Sequence, residues 1–166
     1  HGVMVRCVRC FYQRLDPTLW EGSALFELWA QELELIYGDL RQRLSPNAKT
    51  DAGSLGDRFG FDTPPELPRL LQSIQTFYSV LIKLIAWNTL RDASLEPPLT
   101  ELLSGRAFVN RGIRNFCGDD WYIWPLDIWD PALETQCEEL RACLESFDTC
   151  PEGSTLSPDS LSRIYE

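Results

Sequence analysis

One stretch decides the fold of this chain: Leu67-Pro-Arg-Leu70-Leu-Gln-Ser-Ile74-Gln-Thr-Phe77-Tyr-Ser-Val-Leu81-Ile-Lys83-Leu-Ile-Ala-Trp87-Asn-Thr-Leu90. Its apolar residues recur at steps of three and four, which predicts an α-helix of about 25 residues. Between Phe77 and Trp87 the helix is apolar on nearly every side. Such a helix is stable when other elements surround it, so we expect it in the middle of the domain.

Further helices are predicted on both sides of this stretch. A long amphipathic pattern runs from Trp20 to Leu44, and Asp130-Pro131 provides a cap and a first-turn proline for a pattern that continues to Phe147. Shorter helices are predicted at Leu99–Leu103 and after Ser157. The stretch from Val3 to Leu15 fits either a strand or a helix.

The remaining segments show no clear period. Residues 45–65 are rich in Pro, Gly, Asp and Ser and predict a long loop. Residues 106–129 have no clear period, and their aromatic-rich part from Phe116 to Trp129 predicts an irregular segment packed across the helices. We therefore expect residues 1–166 to form one mainly α-helical domain with two long helices, shorter helices and this aromatic-rich segment.

Charge and hydropathy exclude some classes of protein. The 166 residues include 25 Asp and Glu against 15 Lys and Arg, a net charge of -10. Proteins that bind nucleic acid over their whole surface are normally basic, because neutralising phosphates supplies most of their non-specific affinity. Every long apolar run is interrupted by charge, so we expect an aqueous, cytoplasmic protein without a membrane partner.

The titratable side chains offer little for catalysis or metal binding. Cysteines stand at positions 7, 10, 117, 137, 143 and 150, and Cys7 and Cys10 have the spacing of half a zinc site without an evident second half. We favour reduced, mostly buried cysteines over a zinc-stabilised domain. His1 is the only histidine, which argues against a catalytic triad.

Other candidates have simpler structural interpretations. Asp119 and Asp120 resemble an acidic pair but fit a solvated turn better, because a hard cation needs more oxygen ligands. Lys83 fits a snorkelling side chain or a buried, paired cation better than a catalytic base. We favour a packed core over a base-stacking surface for the tryptophans at 121, 124 and 129, and we assign no catalytic, cofactor-binding or metal-binding residue.

The one locally basic stretch is Gly105 to Asn115, which contains Arg106, Arg111 and Arg114 and no acidic residue. Arginine forks bind phosphate well, so these three side chains are candidates for contact with a nucleic-acid backbone. The alternative is that they pair with the surplus carboxylates of the chain. The sequence does not decide between these two interpretations.

Several segments resemble a known family. They comprise Leu25 to Gly38, with its Trp29 and its Tyr37-Gly38 ending, then Leu70 to Ala86, Asn115 to Trp124, Leu126 to Asp130, and Ser157 to Tyr165. Over residues 20 to 166 the chain is similar to the helical region that precedes the catalytic domain in large N6-adenine DNA methylases of restriction-modification and phage-defence systems.

This resemblance implies a non-catalytic accessory domain cut from a larger chain. Its partners would be the catalytic methyltransferase domain of that chain and DNA, and S-adenosylmethionine would be the cofactor of the parent enzyme. The Asn-Pro-Pro-Tyr motif and the Gly-rich cofactor loop of those enzymes do not occur in this sequence, so no catalytic residue is carried over. The alternative is a helical scaffolding domain that binds proteins and has no nucleic-acid role.

Overall fold

Helices dominate the computed structural model, which describes residues 2–15, 28–29, 31, 49–90, 96–117 and 122–147. We number the helices α1 (Val3–Arg14), α2 (Lys49–Arg58), α3 (Leu67–Leu90), α4 (Leu99–Leu103), α5 (Arg106–Val109) and α6 (Pro131–Phe147). A short 3-10 helix spans Trp124–Leu126. The described ranges contain no β-strand, and the predicted mainly α-helical fold class is confirmed.

Helix α3 occupies the centre, as its apolar sequence predicts. Helices α1, α4 and α6 all pack against it. Leu70 and Phe77 are completely buried in the resulting core, together with Phe108 of α5 and Leu133 of α6. By length and composition alone α3 is apolar enough to cross a membrane, but a core helix passes the same test, so this is weak evidence for a span.

Two hydroxyl groups of α3, those of Ser73 and Thr76, are buried inside this core and are hydrogen-bonded there. The Thr76 hydroxyl donates a hydrogen bond to the Gln72 carbonyl at 2.8 Å and accepts one from the Trp124 indole N–H at 2.9 Å. The Ser73 hydroxyl donates to the Arg69 carbonyl at 2.7 Å. A buried hydroxyl is costly without partners, and the bond from Trp124 to Thr76 connects the aromatic segment to α3.

Three of the predicted helices have the expected positions: Leu67–Leu90, Leu99–Leu103 and Pro131–Phe147. The stretch from Val3 to Leu15, for which strand and helix were both open, forms a helix. The predicted helix from Trp20 to Leu44 lies outside the described residues except for Leu28, Trp29 and Gln31, which are helical. The predicted helix after Ser157 lies wholly outside them.

The prediction of a loop over residues 45–65 is wrong for residues 49–58, which form α2. The loop was predicted from the high density of Pro, Gly, Asp and Ser and the lack of periodicity, but within α2 Gly56 has a packing role. A Cβ atom on Gly56 would lie 2.5 Å from Cδ of Pro65, so only glycine lets α2 approach this proline. The chain leaves the helix at Gly60, which has a φ of 67°.

An ion pair joins the end of α1 to the start of α6. Arg14 Nε lies 3.0 Å from Asp130 Oδ2 and Arg14 Nη2 lies 3.2 Å from Asp130 Oδ1, a bidentate geometry. Asp130 Oδ1 also accepts the backbone N–H groups of Ala132 and Leu133 at 2.9 and 2.8 Å, which confirms the predicted cap. The Arg14 guanidinium and these N–H groups lower the pKa of Asp130 from its ordinary value.

We expect the substitution Asp130→Asn to lower the free energy of unfolding at neutral pH. A carboxyl whose pKa is lowered by folding stabilises the fold above its unfolded pKa of about 3.9, and this contribution is lost as the pH falls through the folded pKa. Denaturant unfolding of the two proteins, measured across the acidic range, checks this. Asparagine can still cap α6, so the difference isolates the charge.

The matched control is Asp127→Asn, which changes an exposed aspartate for which the structure records no ion pair in the described ranges. We expect it to have little effect at any pH. A stability loss in Asp130→Asn that persists unchanged in strong acid would contradict the assignment.

Candidate nucleic-acid interface

The basic stretch forms a closed, well-supported turn, which we call the arginine segment (residues 105–115). Gly105 begins it with a φ of 81°, and α5 follows at once. The helix ends where the N–H of Gly112, whose φ is 79°, binds the Val109 carbonyl at 2.9 Å and the N–H of Ile113 binds the Phe108 carbonyl at 3.0 Å. This is the usual glycine ending of a helix, and it returns the chain toward its starting point.

The two ends of the arginine segment meet at Gly105. A Cβ atom on Gly105 would lie 2.1 Å from the backbone oxygen of Phe116 and 2.9 Å from Sγ of Cys117. The backbone of Phe116 therefore occupies the space that any other residue at position 105 would need. Because its ends are held together, the segment has little conformational freedom left to lose on binding.

Aromatic rings hold the arginine segment onto the core. Phe108 is completely buried, and its ring centroid lies 5.7 Å from that of Trp87 and 4.4 Å from that of Phe116. Trp87 belongs to α3, so these contacts connect the segment to the central helix. Aromatic pairs of this kind add about 0.5–1.5 kcal/mol each beyond the burial of their area.

The three predicted arginines are all exposed, but their surroundings differ. The Arg111 guanidinium lies 4.8 Å from the ring centroid of Trp87 and donates a hydrogen bond to the Leu90 carbonyl, at the end of α3. Arg106 borders a shallow cleft with Glu101 without forming an ion pair with it. No hydrogen bond or ion pair is recorded for Arg114 with any described residue.

Of the six other described arginines, Arg9, Arg58 and Arg69 have no carboxylate partner among the described residues, and the remaining three form ion pairs. Arg6 pairs with Glu139 at 2.8 Å, Arg14 pairs with Asp130, and Arg141 pairs with Glu96 and Glu138. Within the described ranges, by contrast, no carboxylate lies within ion-pairing distance of the three arginines of the segment. The alternative interpretation, in which they neutralise surplus acids, has no support among these residues.

Lys83 is the buried cation beneath this surface. Only 4% of the residue is exposed, and its Nζ donates a hydrogen bond to the Leu103 carbonyl at 2.8 Å. Leu103 is the last residue of α4, whose free carbonyls carry partial negative charge and attract a cation. Lys83 therefore holds α3 against the end of α4, two residues before Gly105. The only sequence signal for this positioning role is a single lysine in an apolar run.

The two cysteines of α1 and Cys137 of α6 lie in the core. Cys7 and Cys137 are 1% exposed, and the Cys7 thiol donates to the Gln136 carbonyl at 3.4 Å. Burial raises the pKa of Cys7 and raises the pKa of Cys137 to about 12, so both thiols stay protonated at neutral pH. Among the described residues no group of three or more His, Cys, Asp and Glu side chains is placed to hold a metal ion.

Sequence reasoning missed one hydrogen-bonded group beside the arginine segment. Gln75 Oε1 accepts the indole N–H of Trp29 at 2.6 Å and the hydroxyl of Tyr122 at 3.0 Å. Gln75 is 46 positions from Trp29 and 47 positions from Tyr122 in the sequence, so no local pattern could have joined them. The acidic pair Asp119-Asp120 and Trp121 lie outside the described residues.

The comparisons with protein-family models, with curated proteins and with solved structures found no match for this chain. Its function is therefore inferred from its own residues.

We expect Gly105→Ala to destabilise the protein by about 2–5 kcal/mol, because the new Cβ must displace the Phe116 backbone and the residue must keep a positive φ. Gly112→Ala is the matched control. It has a similar φ, but its Cβ would meet nothing within 4 Å, so we expect a loss of only about 1–2 kcal/mol. Denaturant unfolding measures both, and equal losses would show that the Gly105 contact with Phe116 contributes nothing.

Proposed function

We propose that this chain is a non-catalytic helical accessory domain of an N6-adenine DNA methyltransferase of the restriction-modification or phage-defence type. In this proposal it orients the catalytic domain of the same parent chain, and its arginine segment contacts the DNA backbone. S-adenosylmethionine would be the cofactor of the parent enzyme, which would act in the cytoplasm.

One observation carries the DNA contact: Arg106, Arg111 and Arg114 are exposed on a closed segment without a carboxylate partner in the described ranges, in a chain of net charge -10. Arg58, outside the segment, is also exposed without a carboxylate partner in those ranges, so the segment is distinguished by having three such arginines within nine residues. Guanidinium groups without carboxylate partners on a rigid turn suit an anionic partner, because little ordering is needed to form charge-assisted hydrogen bonds to phosphate.

The acidic remainder of the chain limits this contact to one face. Carboxylates elsewhere repel a duplex, so the isolated chain should bind DNA weakly and only at low salt. Such behaviour suits a domain that adds a few backbone contacts to those of a neighbouring catalytic domain. Contacts to phosphate position a protein on the duplex and carry no sequence information of their own.

The test replaces all three arginines, Arg106→Gln, Arg111→Gln and Arg114→Gln, and measures binding to a short DNA duplex over a series of salt concentrations. Each phosphate contact contributes a slope of about 0.9 in log K against log salt, so losing three contacts reduces the slope by about 2.7. We expect weaker binding and a flatter slope. An unchanged slope would rule out the backbone contact.

The matched control is Arg58→Gln, which removes an exposed arginine of α2 outside the segment. It should leave the slope nearly unchanged. Because the Arg111 guanidinium stacks on Trp87, the thermal unfolding of the triple variant must also be measured, so that a folding defect is distinguished from a lost phosphate contact.

A second candidate function is a protein-binding scaffold without a nucleic-acid role. It is favoured by exposed apolar side chains: Ile82 is 55% exposed, Leu28 49%, and Val109 and Ile128 41% each. If the wild-type chain does not bind duplex DNA at low salt but binds a purified methyltransferase domain, this candidate replaces the DNA contact.

A further inference from the structure

A cleft of about 390 Å³ opens beside the arginine segment, between α3 and the residues Asn115, Phe116 and Tyr122. Its volume lies within the range of about 300–1,000 Å³ that is typical of small-molecule sites. One wall carries Gln75, Tyr78, Ser79, Ile82 and Lys83 of α3, and the other carries Asn115, Phe116 and Tyr122. The lining thus combines three aromatic rings with two carboxamides and one cation.

The carboxamide of Gln75 is held in a known orientation. The indole N–H of Trp29 can only donate, so the atom of Gln75 that lies 2.6 Å from it must be the oxygen. The Tyr122 hydroxyl lies 3.0 Å from the same oxygen. Because both contacts engage the oxygen, the amide nitrogen is left to offer its two N–H groups to an acceptor in the cleft.

The other lining groups suit a flat ring with a polar edge. Tyr78, Phe116 and Tyr122 supply aromatic surface on both walls of the cleft, and every nucleobase can stack on such a ring. Asn115 is exposed and provides both a donor and an acceptor. Carboxamides of Asn and Gln are the side chains that pair best with the hydrogen-bonding edge of a base.

The cleft is also continuous with the proposed phosphate contacts. Asn115 and Phe116 line it directly after Arg114 in the chain, and Arg114 has no recorded hydrogen bond or ion pair with any described residue. A nucleotide whose base entered the cleft would leave its phosphates at the mouth, beside the arginine segment. Lys83 adds a positive charge at the foot of the cleft, where it is fixed by the Leu103 carbonyl.

We infer that this cleft binds an unpaired nucleobase of the nucleic acid whose backbone the arginine segment contacts. The base stacks against the aromatic walls, and its polar edge bonds to the carboxamides of Gln75 and Asn115. This inference rests on the proposed function, because the arginines would bring the strand to the cleft. It assigns the domain a second role, the capture of a base that has left the duplex.

The test compares two DNA duplexes that carry the same number of phosphates. One contains a single bulged adenine, and the other contains a bulged abasic nucleotide at the same position. We expect the full chain to bind the bulged-adenine duplex more tightly by roughly 5- to 150-fold, the range that stacking of one base on aromatic side chains corresponds to. Equal affinities for the two duplexes would overturn the inference.

Two variants locate the effect in the cleft. Asn115→Ala removes a polar edge, and Ser79→Leu fills part of the space, so each should lower affinity for the bulged-adenine duplex and leave affinity for the abasic duplex unchanged. Val109→Ala is the control, because this exposed residue of α5 does not line the cleft. A preference for adenine that survives in both cleft variants, with their folding confirmed by thermal unfolding, would also overturn it.

The triple arginine variant separates this inference from the proposed function. It should weaken binding to both duplexes. If it does so while the wild-type chain binds the two duplexes equally, the phosphate contact stands and the base site fails. If the wild-type chain binds neither duplex at low salt, both proposals fail, and a protein segment becomes the better occupant of the cleft.

Discussion

The burial of α3 is the constraint on which the rest of the structure depends. A helix with apolar side chains on nearly every side cannot remain exposed to water, so α1, α4 and α6 must cover it. Burying each large side chain such as Phe77 contributes about 1.5–3 kcal/mol. The buried hydroxyls of Ser73 and Thr76 on the same helix are hydrogen-bonded inside the core, where an unbonded hydroxyl would cost about 1–3 kcal/mol.

Those polar side chains give the core its specificity. Thr76 bonds to Trp124 and Gln75 bonds to Trp29 and Tyr122, so one helix orients aromatic residues from two distant parts of the chain. Lys83 acts similarly at the end of α4, where its ammonium meets the free carbonyl of Leu103. An apolar helix could be covered in several registers, whereas these bonds form in only one.

The arginine segment depends on the same helix. Trp87 of α3 contacts it twice: its ring packs against the buried ring of Phe108 and against the guanidinium of Arg111. Gly105 closes it against the backbone of Phe116. The result is a rigid cationic turn on an acidic molecule, next to a cleft with aromatic walls. Both features suit an anionic polymer with flat rings, and neither could exist without the core contacts beneath them.

The positions of α3, α4 and α6 could be predicted from the sequence because their signals are local: apolar spacing, the Asp130-Pro131 start and the proline pair before Leu99. Helix α2 could not, because its residues are rich in Gly, Asp and Ser and show little periodicity, and only the approach of Pro65 explains Gly56. The sequence likewise named Arg106, Arg111 and Arg114 as candidates but left open whether acids neutralise them. That depends on which carboxylates folding brings near.

By itself, then, the sequence determined a mainly helical protein with a buried central helix, because periodicity and capping act between residues a few positions apart. Only the tertiary structure decided that the arginine segment is closed, that it lacks carboxylate partners within the described ranges, and that Gln75 meets Trp29 and Tyr122 beside it. These properties arise from contacts between residues far apart in the chain, and packing around α3 is what brings such residues together.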